Sequence, residues 1–463
     1  MGWWRANRRT RDLDQGHSPD GSMSGMLGPD TLTERRRADR RRAAHARPGS
    51  NHAWWLTALV VATALTAVPV LVRLSRIGAQ SDIPVHANMA VELVEAGEWF
   101  TYSLWYPLVY VVAGGSDATT ASLRWASVAL LLAAVVAKVL IVYSVTWRAT
   151  RSRPAALAVG VLLLLAMPLV DPWRPRNIYL GQVTANVWHN STNIFALPCA
   201  IGTFLAAAAM LRAPTPRRAA VFGGLVVLSV LTKPNYAVAL LPVAGLMLLW
   251  ALRQHRRGVQ EGLVVVTAAF IPVTVVLAAQ FAAVFAGDAA SRDVDLVIAP
   301  LEVWGLYSPN VAWSLVLSIA GPALTMLVLP SSARRDPAMV LAWLVLGLAV
   351  GQMALLAEAT GGAVQGSGNF LWGAYLAVFM VFLTTAVELA QVLVRGPVGR
   401  LRSVAAVAVV VLAGHAVSGA VYAARAGVDG FPVTRGHGVE VATDGWSRSS
   451  INAEYALRTR EQL

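Results

Sequence analysis

Long apolar stretches alternate with short polar stretches along almost the whole chain. An apolar helix of about 20 residues crosses the roughly 30 Å hydrocarbon core of a bilayer. The pattern therefore predicts an all-α integral membrane protein with about eleven transmembrane helices. The predicted spans lie near residues 53–72, 121–146, 155–170, 192–211, 219–232, 236–252, 262–286, 311–329, 338–357, 370–393 and 403–423.

Three segments between or beside these spans have patterns of their own. Residues 87–100, which follow the first span, have the spacing of a short amphipathic helix at the membrane surface. Residues 106–113 are apolar but too short to span. Lys233-Pro234-Asn235 separates two short apolar stretches, and proline ends a helix, so this pair is predicted to be short or broken helices.

Composition agrees with a membrane domain. Hydrophobic residues make up 56% of the 463 positions and charged residues only 14%, where a soluble protein carries about 25% charged residues. We predict three regions: a disordered basic cytoplasmic tail (1–50), a polytopic transmembrane domain (51–424) and a polar extracytoplasmic segment (425–463).

Basic residues are distributed as in a membrane protein that obeys the positive-inside rule. Eleven of the 38 Lys and Arg residues lie in the first 47 positions, and fourteen more lie in five alternate short loops. This alternation predicts a cytoplasmic N-terminus in the cytoplasmic (inner) membrane. The net charge of +13 is then explained by topology and by contact with membrane lipid, and no nucleic-acid partner is expected.

Unusual polar residues fall in the loops predicted to face away from the cytoplasm. Asp82 and His86 follow the first span and are four positions apart, so a helix would place both on one face. A carboxylate beside an imidazole can act as a general base. The alternative is a capped interfacial helix, in which Asp82 is the N-cap.

A second loop combines cations and amides. Arg174, Arg176 and His189 could bind a phosphate, since guanidinium groups bind it bidentately; contact of the arginines with lipid headgroups is the alternative. Lys233, at the helix break, should face a cavity or an anion because a lysine in lipid is costly; a snorkelling lysine is the alternative. Further polar candidates for binding a substrate are Tyr106, Gln182, Asn190, Glu358 and Asn369, and Lys138 and Glu388 are charged residues inside predicted spans.

These motifs resemble those of the GT-C glycosyltransferases over roughly residues 75–255. An Asp outside the first span, an amphipathic helix and a Tyr-Pro segment are similar to the start of that family. Tyr179-Leu180-Gly181-Gln182 and Leu231-Thr232-Lys233-Pro234 are similar to its actinobacterial branch, which includes polyprenyl-phosphate-mannose-dependent mannosyltransferases. Residues 188–192 and 368–373 look like segments of less characterised bacterial membrane proteins near this group.

The resemblance implies inverting transfer of a sugar from a polyprenyl-phosphate donor to a hydroxyl of a glycan, lipid or protein acceptor. In this scheme Asp82 would be the general base and His86 would assist it. The phosphate would be held by Arg174, Arg176, His189 and Lys233. The first loop has no Asp-x-Asp motif, so no metal or other cofactor is predicted. A transporter or lipid flippase is the alternative, and a ligase-like or acyl-transferring membrane enzyme is a third class.

Overall fold

The computed structural model describes residues 49–76, 81–101, 103–171, 181–285, 294–308, 310–360, 362–364, 369–397 and 400–429. Residues 1–58 and 59–463 form two separate units; the described part of the first is only the start of α1, and everything below concerns the second. The helices are α1 (Gly49–Leu74), α2 (Asp82–Glu95), α3 (Trp105–Ala113), α4 (Thr120–Thr150), α5 (Arg153–Leu165), α6 (Ser191–Arg212), α7 (Pro216–Thr232), α8 (Asn235–Gln254), α9 (Val259–Phe285), α10 (Glu302–Tyr307), α11 (Val311–Val328), α12 (Ser331–Arg334), α13 (Pro337–Leu355), α14 (Leu371–Arg395) and α15 (Arg400–Asp429).

A helix occurs at each of the eleven predicted spans. In the described part of the chain, nine of them are long and apolar enough to cross a membrane, which confirms a multi-pass helical membrane architecture. The other two are shorter: α5 has 13 residues and α7 has 17, or about 20 and 26 Å at 1.5 Å per residue. The count of eleven crossings therefore stays a prediction.

The predicted span 155–170 is wrong in its last part, because α5 ends at Leu165 and the chain continues without regular structure. Pro168 cannot continue a helix, since its ring would clash with a carbonyl of the preceding turn. The backbone polar groups that follow α5 form hydrogen bonds with residues of α15 instead. Met167 N donates to the His415 carbonyl (3.2 Å), His415 Nδ1 bonds the Met167 carbonyl (2.7 Å), and Ser418 Oγ donates to the Pro168 carbonyl (2.7 Å).

A second irregular segment, residues 181–190, is buried among the helices. Buried irregular backbone is stable only where other protein groups satisfy its hydrogen bonds. Trp304 Nε1 donates to the Gly181 carbonyl (2.8 Å), and Ser318 Oγ of α11 accepts from Val183 N (2.9 Å). Asn186 Nδ2 donates to the Ala166 carbonyl (2.8 Å) at the end of α5. The two irregular segments are therefore held by neighbouring helices.

A small antiparallel sheet departs from the all-α expectation. It has the order β1–β2–β3, with β1 (Val294–Ile298), β2 (Leu356–Thr360) and β3 (Ala363–Val364). Leu296 pairs with Glu358 in β2. The predicted span 338–357 consequently ends at Leu355, and Glu358 lies in a strand. At the C-terminus α15 runs to Asp429, five positions beyond the predicted end of the transmembrane domain.

Close packing of α15 against the end of α5 gives a stability prediction. A Cβ at Gly419 would lie 1.6 Å from the Leu165 carbonyl oxygen, so Gly419→Ala must push the two segments apart. We expect a loss of about 1–3 kcal/mol in the free energy of unfolding, measured by thermal unfolding in lipid nanodiscs. Gly351→Ala, in α13 with open space around it, is the control. An unchanged midpoint in Gly419→Ala would contradict this packing.

Candidate functional site

The start of α2 is fixed to the stretch that precedes α6. Ser81, rather than Asp82, is the N-cap of α2, so the sequence-based N-cap assignment is wrong. Ser81 Oγ accepts from Ile83 N (3.2 Å) and donates to the His189 carbonyl (3.1 Å). Asp82 N also donates to that carbonyl (2.9 Å). Since Ser81 satisfies the helix terminus, the Asp82 carboxylate can make other bonds.

Asn190 connects that carboxylate to the lysine at the helix break. Its Nδ2 donates to Asp82 Oδ2 (2.7 Å), and its Oδ1 accepts from Lys233 Nζ (3.2 Å). The same Oδ1 accepts from Thr192 Oγ1 (2.9 Å) and from Asn193 N (2.9 Å), the latter as the N-cap of α6. The amide is therefore fixed in one orientation by three donors. The side chains of Asp82, His86, His189, Asn190 and Lys233 are called the Asp82–Lys233 cluster below.

Lys233 lies where α7 ends and α8 begins, so the predicted break is confirmed. Its side chain is only 8% exposed and points into the protein, which rules out the snorkelling alternative. Nζ donates to Thr192 Oγ1 (2.8 Å) as well as to Asn190, and lies 4.7 Å from the ring centroid of Trp372. Burial lowers the pKa of Lys233 to about 7, and the nearby Asp82 charge opposes that shift.

The two histidines of the cluster favour the neutral form. His86 Nδ1 and Ser191 Oγ are 2.6 Å apart, and the Tyr106 ring packs edge-on against His86 with centroids 6.0 Å apart. Burial lowers the pKa of His86 to about 4 and also lowers the pKa of His189; Asp82 opposes both shifts, and Lys233 adds to both. A neutral imidazole near a carboxylate can accept or relay a proton.

This pKa shift predicts how stability depends on acidity. Between pH 6.5 and about 4, His86 is protonated in the unfolded chain and neutral in the folded one, so the free energy of unfolding falls as the pH falls through that window. His86→Gln keeps a group that can bond Ser191 but does not titrate. We expect the unfolding midpoint of this variant to fall less steeply between those pH values. Parallel curves for the two proteins would contradict the assignment.

The other predicted site residues have different surroundings. Glu358 and Asn369 are connected to Asn235 at the start of α8: Asn369 Nδ2 donates to Glu358 Oε2 (2.6 Å), and Asn235 Nδ2 donates to the Asn369 carbonyl (2.7 Å). Gln182 donates instead to the Leu169 carbonyl (3.3 Å), outside the cluster. Arg174 and Arg176 lie outside the described residues, so their predicted role stays a prediction.

Two aromatic residues at the cluster were not assigned from sequence. Trp372 covers the Lys233 ammonium and lies 5.8 Å from the His189 ring. Burial raises the pKa of Tyr307, and the negative charge of the nearby Asp82 raises it further. The backbone of Tyr307 lies against Gly181, where a Cβ would come within 2.3 Å of the Tyr307 carbonyl oxygen, so only glycine fits at position 181. Trp372 belongs to segment 368–373, which resembles segments of other bacterial membrane proteins. No local sequence pattern marked Tyr307.

The cluster combines a carboxylate, two neutral imidazoles and a buried cation. Such a set can take a proton from a hydroxyl and stabilise negative charge nearby. Within the described ranges, no three His, Cys, Asp or Glu residues are grouped as metal ligands. No family model matches the sequence, and no curated protein matches it significantly.

Proposed function

We propose that this chain is a membrane glycosyltransferase that moves a sugar from a polyprenyl-phosphate donor to a hydroxyl acceptor on the outer face of the cytoplasmic membrane. The observation that carries the proposal is the bridge through Asn190, which holds a carboxylate and a buried lysine at one place. Transfer from such a donor needs both a base for the acceptor hydroxyl and positive charge near the phosphate that leaves.

Asp82 is the base in this proposal. The acceptor oxygen attacks the anomeric carbon while its proton passes to Asp82, and the bond from that carbon to the phosphate oxygen breaks. The products are an inverted glycoside and polyprenyl phosphate. His86 lies one helical turn from Asp82 and assists by holding or relaying the proton. The aromatic ring of Tyr106 packs on that imidazole.

Lys233 supplies positive charge to the leaving phosphate. Its Nζ already donates to Asn190 and Thr192, so much of its contribution is the field of a poorly solvated cation, which is stronger than in water. His189 offers a ring nitrogen, and Arg174 and Arg176 are proposed as the direct phosphate ligands. The residues predicted to bind substrate were Tyr106, Gln182, Asn190, Glu358 and Asn369. For Asn190 we now propose that it positions Asp82.

The donor, the acceptor and the membrane side follow from the same proposal. The donor is a polyprenyl-phosphate-linked sugar, and the acceptor is a hydroxyl of a glycan, lipid or protein. The positive-inside rule, applied to the loop arginines, supports a cytoplasmic N-terminus. In this topology the Asp82–Lys233 cluster faces the opposite side of the membrane. No nucleic acid and no cofactor take part.

A transporter is the second candidate function, and one observation favours it. Lys138, near the middle of α4, is 3% exposed and lies beside the irregular segment 181–190. Ionisable groups and interrupted helices deep in a bundle are features of transport sites. Sugar transfer from a polyprenyl phosphate to a hydroxyl requires no such group at that depth.

The test is an assay in proteoliposomes with a panel of polyprenyl-phosphate sugars and hydroxyl acceptors. We expect transfer of one sugar with release of polyprenyl phosphate in equal amount. A matched flux assay in the same vesicles follows radiolabelled solutes. Solute flux without transfer from any lipid donor would favour the transporter over the glycosyltransferase.

A further inference from the structure

The small sheet has an exposed apolar face. In β1, Leu296 is 65% exposed and Ile298 is 79% exposed, and a spacing of two places both side chains on one face of the strand. The opposite face is covered, because Val297 packs against a buried apolar cluster that includes Ala357 of β2. Apolar side chains exposed along an edge strand are an aggregation hazard in water. The exposed face therefore needs a covering that the described part of the chain does not supply.

The sheet lies at the end of a membrane-spanning helix. α13 has 19 residues and is apolar enough to cross a bilayer; its length is about 28 Å, so its ends lie near the two membrane boundaries. β2 begins at Leu356, directly after α13. The chain after β1 is bonded to the same end of the helix. Ala299 N donates to the Leu355 carbonyl (2.9 Å), and Leu301 N donates to the Ala354 carbonyl (2.6 Å). The strand is thus held at the boundary between lipid and water.

The exposed face of the sheet begins where the lipid-facing surface of α13 ends. Leu344, Leu348 and Leu355 are exposed on α13, and spacings of four and seven put them on one side of the helix. Because α13 crosses the membrane, its exposed apolar side faces lipid. The carbonyl of Leu355 bonds Ala299, which is the residue after Ile298. The exposed residues of β1 therefore continue a surface that is already in contact with lipid.

The backbone of Leu301 supports the same occupant. Its φ is +60° and its ψ is +2°, the left-handed conformation that is costly for every residue with a Cβ. The hydrogen bond to Ala354 and a second one, from Gly305 N to the Leu301 carbonyl (2.7 Å), hold it there. The side chain is 47% exposed, so packing within the protein offsets only part of that cost. Transfer of the exposed part from water into hydrocarbon supplies a further favourable contribution.

We propose that Leu296, Ile298 and Leu301 insert into the acyl chains of the bilayer at its boundary with water. The insertion is shallow, because Asp295 is exposed beside Leu296 and the free edge of β1 has backbone groups that hydrocarbon cannot satisfy. The opposite face of the sheet packs against the cluster that Tyr307 of α10 also contacts, so the lipid contact supports that residue as well. The proposed contact does not depend on glycosyl transfer.

The experiment measures lipid contact at single positions. Cys199 is the only cysteine of the sequence, so Cys199→Ala gives a background in which Leu296→Cys, Ile298→Cys and Leu301→Cys are each labelled with an environment-sensitive fluorophore. Each nanodisc holds one protein, which excludes a second copy. Spin-labelled lipids quench a fluorophore that lies at the depth of the nitroxide, whereas iodide quenches a fluorophore in water. At all three positions we expect emission at shorter wavelength and loss of intensity with a nitroxide near the headgroups, and a smaller loss with a nitroxide at the end of the acyl chains.

Two further positions are matched controls. Asp295→Cys is on the same strand, and its exposed side chain points to the opposite face from Leu296; iodide should quench this label most. Leu344→Cys is on the exposed side of α13, eleven residues before Leu355, or about 16 Å along the helix. The nitroxide at the end of the acyl chains should quench this label most.

Quenching of the labels at positions 296, 298 and 301 by iodide, as at position 295, would overturn the proposal, because the face would then lie in water. Protection from iodide and from both nitroxides would also overturn it, since protein would then cover the face. Disulfide formation between two Ile298→Cys chains in larger vesicles would identify that cover as a second copy. Substitutions at exposed positions change stability little, and an unfolding midpoint equal to that of Cys199→Ala verifies that each labelled protein is folded.

Discussion

Asp82→Asn should reduce sugar transfer by about 10²–10⁴-fold, the contribution of a positioned general base. The substitution preserves the site: the new amide oxygen can still accept from Asn190 Nδ2, which lies 2.7 Å from Asp82 Oδ2. The ability to take a proton is lost, together with the negative charge that opposes the lowering of the Lys233 pKa. Donor binding, measured by titration of the polyprenyl-phosphate sugar without acceptor, should change far less than the rate of transfer. This combination separates a base from a residue that merely maintains the fold.

A matched control lies on the same helix. Glu92 is an exposed carboxylate of α2, and Glu92→Gln makes the same chemical change away from the cluster. We expect full activity in this variant. Full activity in Asp82→Asn would show that Asp82 is not the general base. The main argument for sugar transfer at this site would then be lost.

Lys233→Met should weaken donor binding by about 10–100-fold while leaving the chain folded. Loss of the field of a poorly solvated cation beside the phosphate accounts for that magnitude. The fold should survive because Asn190 Oδ1 keeps two other donors, Thr192 Oγ1 and Asn193 N, and methionine fills much of the lysine's space beside Trp372. Donor titration and thermal unfolding in the same nanodiscs measure the two effects.

The control for this variant is Arg217→Met, which removes an exposed cation from the first turn of α7. It should leave donor affinity as it is. If Lys233→Met unfolds the protein, or if donor affinity is unchanged in a folded Lys233→Met, then Lys233 only supports Asn190 and the phosphate is bound elsewhere.

A pH profile follows from the same lysine. Burial lowers the pKa of Lys233 to about 7. Between about pH 7 and 10.5, Lys233 is therefore neutral in the folded protein and still protonated in the unfolded chain. The free energy of unfolding should therefore rise with pH across that window. Donor affinity should fall over the same range, since the charge facing the phosphate is lost. Lys233→Met should remove this contribution to both trends.

The sequence alone determined which stretches are helical. Apolar runs locate eleven helices to within a few residues because the period and length of a membrane helix are local properties. The break at Lys233-Pro234 was also readable, since proline acts on its own helix. The end of α5 was missed although Pro168 marks it, because the apolar run continued past the proline.

Only the tertiary structure decided what those polar residues contact. Asn190 is 43 positions from Lys233 and 108 from Asp82, and no local pattern shows that one amide bonds both. The same holds for Tyr307 near Asp82 and for the pairing of β1 with β2, which depends on chain segments about 60 positions apart. Hydrophobic patterning specifies which residues lie inside the helix bundle. The buried partner of each polar group depends instead on how the helices pack against one another. Helix packing is determined by residues along the whole chain, so no short segment of sequence reveals the partner.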